Sequence, residues 1–562
     1  MKKQALSLFL AGALALSLFG CSAQPAAESA PQSSPAETAG SSSAGVVEEL
    51  HLGTTAANDT FTTVVESGAF GKMCYNSFVT APFWQTGPNG EVEPFLVADW
   101  TVSEDSTTIT CDLALDQGIT WHDGEPLTMD DVLFTFDYNI NVRKSSYGSY
   151  VDHAEQVDED TIKVVLKEPG AYQWLKLVAG YFYVQPKHIW ENIDAPKDYR
   201  GEDAVIGCGP YRFVSLDEDA QTSYYEAVSD TYLGREVTVK KVSLRSFDSN
   251  DALVMALRNG EIDAMYSYAS PIPATMASSI TGVEHVEPGM SDNTGSYMIM
   301  FGFRKGPTDD LNFRKAVTLS LDYELLAAAF GGEDAQVPGV GVIAPPNLGY
   351  DETLPKLEQN LEAAKAALDE GGYLDVDGDG YREMPDGSKL SYKVTAQYAT
   401  KKQELFNRIG EVIVSSLRDV GIDAYYDQES LASDEANKNM VSNNDYDMFI
   451  GYTTSGVATY RTAFWYFLNR DLVGSGGMEW GNSYQDDALD AAYLSLMEAV
   501  NNDEYLAAVG RLQKLASQDL FAFAVCWEKC FFPYRTDKID GFENYPSVGV
   551  VHAETFYTIT QK

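Results

Sequence analysis

Apolar residues recur along this chain at spacings that alternate between helical and extended, and glycines mark the switches. In 248–259 the apolar positions Leu253, Val254 and Leu257 fall on one side of a helical wheel. Asp248 or Ser249 stands where an N-cap is needed and Gly260 where a left-handed C-cap is needed, so a helix is predicted there. Glu261-Ile262-Asp263-Ala264 then reads as the start of a strand. The order repeats in 403–420, where Leu405, Ile409, Val412 and Ile413 share a face, Gly421 stops the helix, and 422–426 reads as strand. Leu357, Leu361, Ala364 and Leu368 predict another amphipathic helix. Helix–glycine–strand units of this kind favour α/β lobes. With no internal repeat and no second low-complexity linker in view, the lobes are expected to pack closely.

The first residues follow a different pattern. Lys2 and Lys3 precede an apolar run from Leu6 to Phe19. That run is shorter than the roughly 20 residues a membrane-spanning helix needs, and its flanks suit a secretory signal. It ends in Leu18-Phe19-Gly20-Cys21, which resembles the bacterial lipobox, with Phe19 bulkier than usual at its position. The resemblance implies a diacylglycerol thioether on Cys21, cleavage of 1–20, and a lipid anchor on the bacterial cell membrane; an ordinary signal with an incidental cysteine is the alternative. Residues 22–45 are nearly all Ala, Ser, Pro, Glu, Gln, Gly and Thr, too polar to bury a core. A flexible stretch of that length reaches about 27 Å, so 21–45 reads as the lipidated cysteine and its tether.

From about Val46 onward the chain is too long for a single core, and two or three domains are expected. Hydrophobic residues make up 44% and no second apolar run reaches spanning length, which points to a globular body. A net charge of -44 argues against nucleic acid, which needs a basic footprint. Cys74, Cys111, Cys208, Cys526 and Cys530 are too sparse for a disulfide scaffold and read as buried thiols.

One stretch is especially informative. Trp121-His122-Asp123-Gly124-Glu125-Pro126-Leu127-Thr128-Met129-Asp130-Asp131-Val132 reads as a strand end, a tight turn at Asp123-Gly124 and a helix start, with Thr128 as cap and Asp131 as capping-box acid. Val132, Leu133 and Phe136 would begin the buried face. This stretch resembles the signature of the family 5 extracytoplasmic solute-binding proteins of ABC transporters, whose members bind oligopeptides, dipeptides and nickel complexes. Further segments resemble the family in order: 94–100, Ile206-Gly207-Cys208-Gly209-Pro210-Tyr211 with Cys208 in place of Thr, 257–263, and Asn312 through Asp322 with Tyr323 in place of Arg. Gly371-Gly372-Tyr373 and Gly421-Ile422 fit later helix ends. The residues themselves favour structural roles for these pieces: His122, Asp123 and Gly124 shape a turn, and Gly207, Gly209 and Pro210 make a bend.

The resemblance implies an α/β, two-lobed flytrap of three domains that closes on its ligand. The first lobe would be discontinuous, from 46–80 with 205–297 and 525–562; 81–204 would be its accessory domain and 298–524 the second lobe. A monomer that serves a membrane permease is implied as well.

In peptide-binding relatives an Asp in a Gly-Trp-x-x-Asp stretch holds the peptide's amino group. Here a strand predicted over 445–450 leads into Gly451-Tyr452-Thr453-Thr454-Ser455, so Tyr452 replaces Trp and Ser455 replaces Asp. A neutral hydroxyl does not offer a charge-assisted bond to an ammonium. Either another acid does so or the ligand has no free amino terminus. Tyr452, Ser455, Tyr460 and Trp465 are the expected cleft contacts, in a region whose rings suit peptide side chains and sugar faces alike. Peptide is the leading ligand class, a neutral solute such as an oligosaccharide the alternative; a surface receptor reporting a peptide signal is a third reading.

Nucleophile and metal motifs of the common hydrolases and NTPases do not occur, so a surface hydrolase is the weaker alternative. Asp375-Val376-Asp377-Gly378-Asp379-Gly380 fits the start of a calcium loop, but position twelve is Asp386 rather than Glu, and 389–398 after it reads as strand. An Asp/Gly-rich turn without metal is the preferred reading, and no cofactor is expected.

Overall fold

Three distant stretches of chain supply one seven-stranded sheet. Its order is Val286–Glu287, Tyr534–Arg535, Ala264–Met265, Leu50–Thr54, Lys241–Ser246, Thr222–Ala227 and Tyr211–Asp217. The computed structural model describes residues 45–57, 78–454, 484 and 486–562, less 89, 268–270, 293–294, 304–305, 333–334, 346, 348, 400–402 and 547. Cys21, Cys74 and the expected signal and tether lie outside the described residues. Among those described, no helix is long and apolar enough to cross a membrane.

Leu50–Thr54 pairs in parallel with both Lys241–Ser246 and Ala264–Met265, and the Asn250–Asn259 helix is the crossover between those two. Leu253, Val254 and Leu257 are its buried face, as their spacing predicts. Ser249 caps it, accepting the Ala252 N–H at 3.2 Å, and Gly260 closes it at φ +74. The strand after it starts at Ala264, later than expected, because Glu261 N–H still bonds back to Ala256 O at 2.9 Å and the Asp263 carboxylate accepts the His51 N–H at 2.9 Å.

A second, five-stranded sheet is ordered Ala424–Tyr426, Tyr392–Ala396, Met448–Thr454, Gly295–Phe301 and Ala522–Cys526. Every residue of Gly295–Phe301 and Ala522–Cys526 is buried, because helices cover both faces. Tyr297, Ile299 and Phe301 face one core with the Leu311–Ser320, Leu361–Glu370 and Gln403–Arg418 helices, while Met298 and Met300 face another with Asp487–Glu498 and Asn502–Asp519. Full burial of each such side chain stabilises by about 1.5–3 kcal/mol.

Here too the predicted elements shift by a few residues. Gln403–Arg418 ends before Val420, and its buried ridge is Phe406, Ile409, Ile413 and Leu417, with Leu405 and Val412 only half-buried. Ile422 N–H bonds to Leu417 O at 3.0 Å, so the next strand begins at Ala424 rather than 422. Leu357 is buried but lies ahead of its helix, which starts at Leu361 once Asn360 accepts the Ala363 N–H at 3.0 Å. The strand expected over 389–398 is confined to Tyr392–Ala396, and that expected from 445 begins at Met448, because Asp447 instead accepts the Lys393 N–H at 2.7 Å.

In the chain between Leu50–Thr54 and Tyr211–Asp217 comes an antiparallel four-stranded sheet, ordered Val97–Val102, Thr108–Leu113, Thr161–Leu166 and Val151–Gln156. Ile109, Cys111 and Leu113 alternate inward, against helices Met129–Asp137 and Ala171–Val178. Cys111, Cys208, Cys526 and Cys530 are buried, and burial pushes the Cys208 thiol up to about 12 and the Cys530 thiol up to about 11.

The chain enters and leaves the five-stranded sheet side by side. Met290–Asp292 pairs with Lys529–Phe531, and beyond them Gly295–Phe301 pairs with Ala522–Cys526. The crossings expected at 297/298 and 524/525 lie within this pair of adjacent strands. A Lys529–Asp292 ion pair ties the two strands of the ribbon.

Candidate functional site

The signature stretch and the glycine-rich bend prove to be one structure. His122 N–H donates to Gly207 O at 2.9 Å, its Nε2 lies 3.1 Å from Gly209 O, and Gly207 N–H points at Nδ1 at 3.4 Å. That pattern requires a neutral ring protonated on Nε2, and burial lowers the His122 pKa below its ordinary value. The glycines are needed for approach: a Cβ on Gly207 would sit 1.9 Å from Val79 O, and one on Gly209 2.6 Å from Phe78 O. Asp123 accepts from His188 at 2.8 Å, and Gly124 turns the chain at φ +101. Asp131 accepts both the Thr128 N–H and its hydroxyl at 2.9 Å, closing the predicted capping box, while its other oxygen takes the Lys187 N–H. These residues lock the join between the segment carrying the four-stranded sheet and the large sheet. A shallow cavity of about 370 Å³ opens there, lined by His122, Arg212, Val214 and Glu226, and Tyr452 is not among its lining residues.

Of the expected ligand contacts, Tyr452 stands near the far end of Met448–Thr454. Tyr452 is described and half-buried; Ser455, Tyr460 and Trp465 lie outside the described residues. Tyr452 N–H donates to Gln397 Oε1 at 3.1 Å, which ties the strand to the end of its parallel neighbour. Tyr452 and Tyr297 are direct cross-strand partners with ring centroids 4.9 Å apart, and Tyr297 in turn stacks on Phe330 at 4.0 Å. Burial, then the nearby Glu528 carboxylate, push the Tyr297 hydroxyl well above its ordinary pKa, so it remains a hydrogen-bond donor.

The sequence reading did not single out the aromatic pair of Trp527 and Tyr350. Trp527 lies on the ribbon, with Tyr350 edge-on at 5.3 Å, and its buried indole N–H has no hydrogen-bond partner among the described residues. Its position between Cys526 and Cys530 was the only local signal; its pairing with Tyr350 is a long-range fact.

The acidic loop is where its spacing put it. Asp375, Asp377 and Asp379 are exposed, with one carboxylate oxygen from each lying within 4.8 Å of the others. Asp386 is not in that group and instead accepts from Ser388 N and Oγ. The three aspartates also serve the backbone: Asp375 takes Gly378 N–H at 2.7 Å and Gly380 N–H at 3.1 Å. The loop delivers Arg382, which bonds to Val420 O at 3.0 Å and Asp369 at 2.6 Å and so joins two helix ends.

Two helix-covered α/β bodies, joined by a paired ribbon and carrying an aromatic-lined strand end beside it, define a two-lobed solute-binding fold. Residues 91–472 match the model of the bacterial extracellular solute-binding proteins, family 5 Middle, and the chain belongs to that family. It is 28% identical over 330 residues to the oligopeptide-binding protein AppA of Bacillus subtilis (strain 168), a match that covers 56% of this chain and 57% of the relative. The chain thus spans little more than half the length of that relative. Among solved structures, HbpA2 of Haemophilus parasuis superposes with a TM-score of 0.77 at 18% identity, covering 92% of this chain and 100% of that one. The Bacillus subtilis AppA structure in complex with a nonapeptide gives 0.64 at 18% identity, over 92% of this chain and 100% of that one. At such identities the likeness carries the fold.

Proposed function

We propose that this chain is the substrate-binding component of an ABC importer, capturing a peptide-like solute between its lobes and delivering it to a membrane permease. The observation that carries this reading is family membership across 91–472, which spans the accessory region and the Tyr452 strand end together. Relatives named for oligopeptide and dipeptide binding support the peptide class. The lobes are read as 46–80 with 205–297 and 525–562, the accessory domain 81–204, and the second lobe 298–524. Tyr452, Ser455, Tyr460 and Trp465 are the proposed ligand contacts. No catalytic step, metal or nucleic acid enters this reading, and the chain acts as a monomer held at the membrane by lipid on Cys21.

A neutral solute such as an oligosaccharide is the second reading, favoured by Ser455 where peptide binders carry an acid. A thermal-shift screen separates the two, since ligand at 100 times its Kd adds about 2.7 kcal/mol. Di- to octapeptides raising the melting temperature support the first reading; peptides without effect and a glycan that raises it overturn it. Lipid attachment is tested apart: incorporation of labelled lipid should vanish in Cys21→Ala, and its persistence contradicts the anchor.

A further inference from the structure

The second lobe is joined covalently to the rest of the body only through the paired ribbon, yet it touches the accessory region at a second place. There the tip of the hairpin between Val97–Val102 and Thr108–Leu113 meets the corner between the Asp487–Glu498 and Asn502–Asp519 helices. Ser106 is the hook. It is fully buried and holds φ +53, a left-handed conformation uncommon in a residue with a side chain. Its hydroxyl donates to Ala499 O at 3.1 Å and accepts the Ala171 N–H at 3.2 Å. Ser106 O also accepts the N–H groups of Gly170 and Ala171. One residue thus ties hairpin, helix start and opposing corner.

Beside the hook, Tyr172 reaches across to Asn502 Oδ1 at 3.3 Å and sets its ring 5.8 Å from that of Tyr505. Lys176 lies against the same two rings and donates to Gly90 O at 3.0 Å.

The outer edge of the same seam is built differently. A surface cavity of about 530 Å³ opens there, with Glu104 and Asp105 on one side and Glu498 and Glu504 on the other. Arg511 is the cation among its lining residues. Carboxylates facing across a gap repel, and salt screens that repulsion over about 10 Å at 0.1 M. Hydrogen bonds, rings and an apolar cluster that includes Leu175, Leu496 and Tyr505 draw the two surfaces together, while like charges at the rim push them apart.

We propose that this seam is a releasable clasp: it joins when the lobes close, parts when they open, and so sets ligand affinity without touching ligand. The proposal rests on the two-lobed binding reading. A contact present only in the closed state lowers the apparent dissociation constant by raising the closed fraction.

The test is small-angle X-ray scattering of the full mature chain, first without ligand and then with a pool of di- to octapeptides. Ser106→Ala/Tyr172→Phe, which loses the hook and the Asn502 bond, is expected to raise the ligand-free radius of gyration. It should also need roughly ten-fold more peptide to compact, about 1.4 kcal/mol of closure. Glu104→Gln/Glu498→Gln, both at exposed positions, is expected to compact the ligand-free chain. Raising salt from 0.05 to about 0.5 M should do the same to the wild type and little to that variant. Identical ligand-free scattering for all three proteins overturns the clasp, as does a lowered melting temperature of Ser106→Ala/Tyr172→Phe with unchanged scattering, which would make the seam permanent core. Should the double hook variant not fold, the glutamine pair decides alone. If peptides compact none of the proteins, the peptide reading fails while the ligand-free comparison still judges the clasp.

Discussion

His122→Ala separates a scaffold residue from a ligand contact. The imidazole makes two hydrogen bonds to the glycine-rich bend, to Gly209 O at 3.1 Å and from Gly207 N–H at 3.4 Å. Each is worth about 1 kcal/mol, and orphaning the partners on a buried bend adds about as much again. Partial relaxation of the bend brings the expected loss to about 3 kcal/mol. With an unfolding entropy of about 2.1 cal/mol/K per residue and roughly 500 residues unfolding together, that is a fall in Tm of about 3 °C. Differential scanning calorimetry measures the fall, and titration calorimetry with any ligand from the screen measures affinity, expected to stay within two-fold. His122→Gln, which keeps a donor near Gly209 O, should recover part of the loss. An unchanged Tm with affinity lost ten-fold or more would place His122 in the ligand site and refute the structural assignment.

Arg314 is buried and donates to Asp519 O at 2.7 Å, Thr308 O at 2.8 Å and Asp309 O at 3.1 Å, with the Phe303 and Tyr484 rings against it. Arg314→Met should therefore cost about 4 kcal/mol in urea unfolding, and a cost below 1 kcal/mol contradicts the role. His552, buried with Nε2 3.1 Å from Glu543 O and stacked on Tyr545, has its pKa lowered from 6.5 to about 4 by burial. Between those values the unfolded chain holds a proton that the folded chain does not. Stability is then full above pH 6.5 and falls by up to about 3 kcal/mol as pH drops to 4. His552→Gln should flatten that part of the stability–pH curve, and an unchanged curve contradicts the assignment. Calcium titration is expected to give neither heat nor a Tm change, because the Asp375 loop is read as a turn; saturable binding lost in Asp377→Asn overturns this.

Legibility followed the range of the interactions. The Ser249 cap, the Gly260 stop and the Thr128–Asp131 box depend on residues a few positions apart, and they stand where their spacing put them. Element edges moved wherever a distant group intervened, as when Asp263 turned to His51 and Asp447 to Lys393. The helix over 403–418 kept its place but turned its buried ridge toward Phe406, because neighbouring helices and the sheet decide which side faces in. Of the proposed ligand contacts, only Tyr452 lies among the described residues. Tyr452 was marked by its motif, whereas its pairing with Tyr297, and the packing of Tyr350 on Trp527, join remote segments, which one sequence does not display. His122 was assigned to a turn from local chemistry, and its bonds to a bend some 85 residues away explain why both motifs occur together.

The most direct test of peptide capture is to purify the full chain under native conditions from cells grown in rich medium, unfold it, and identify the released small molecules by mass spectrometry. Peptides in near-stoichiometric amount, absent from a control purification of an unrelated protein, are the predicted result. A released glycan or other solute without a peptide bond, at the same stoichiometry, would contradict it.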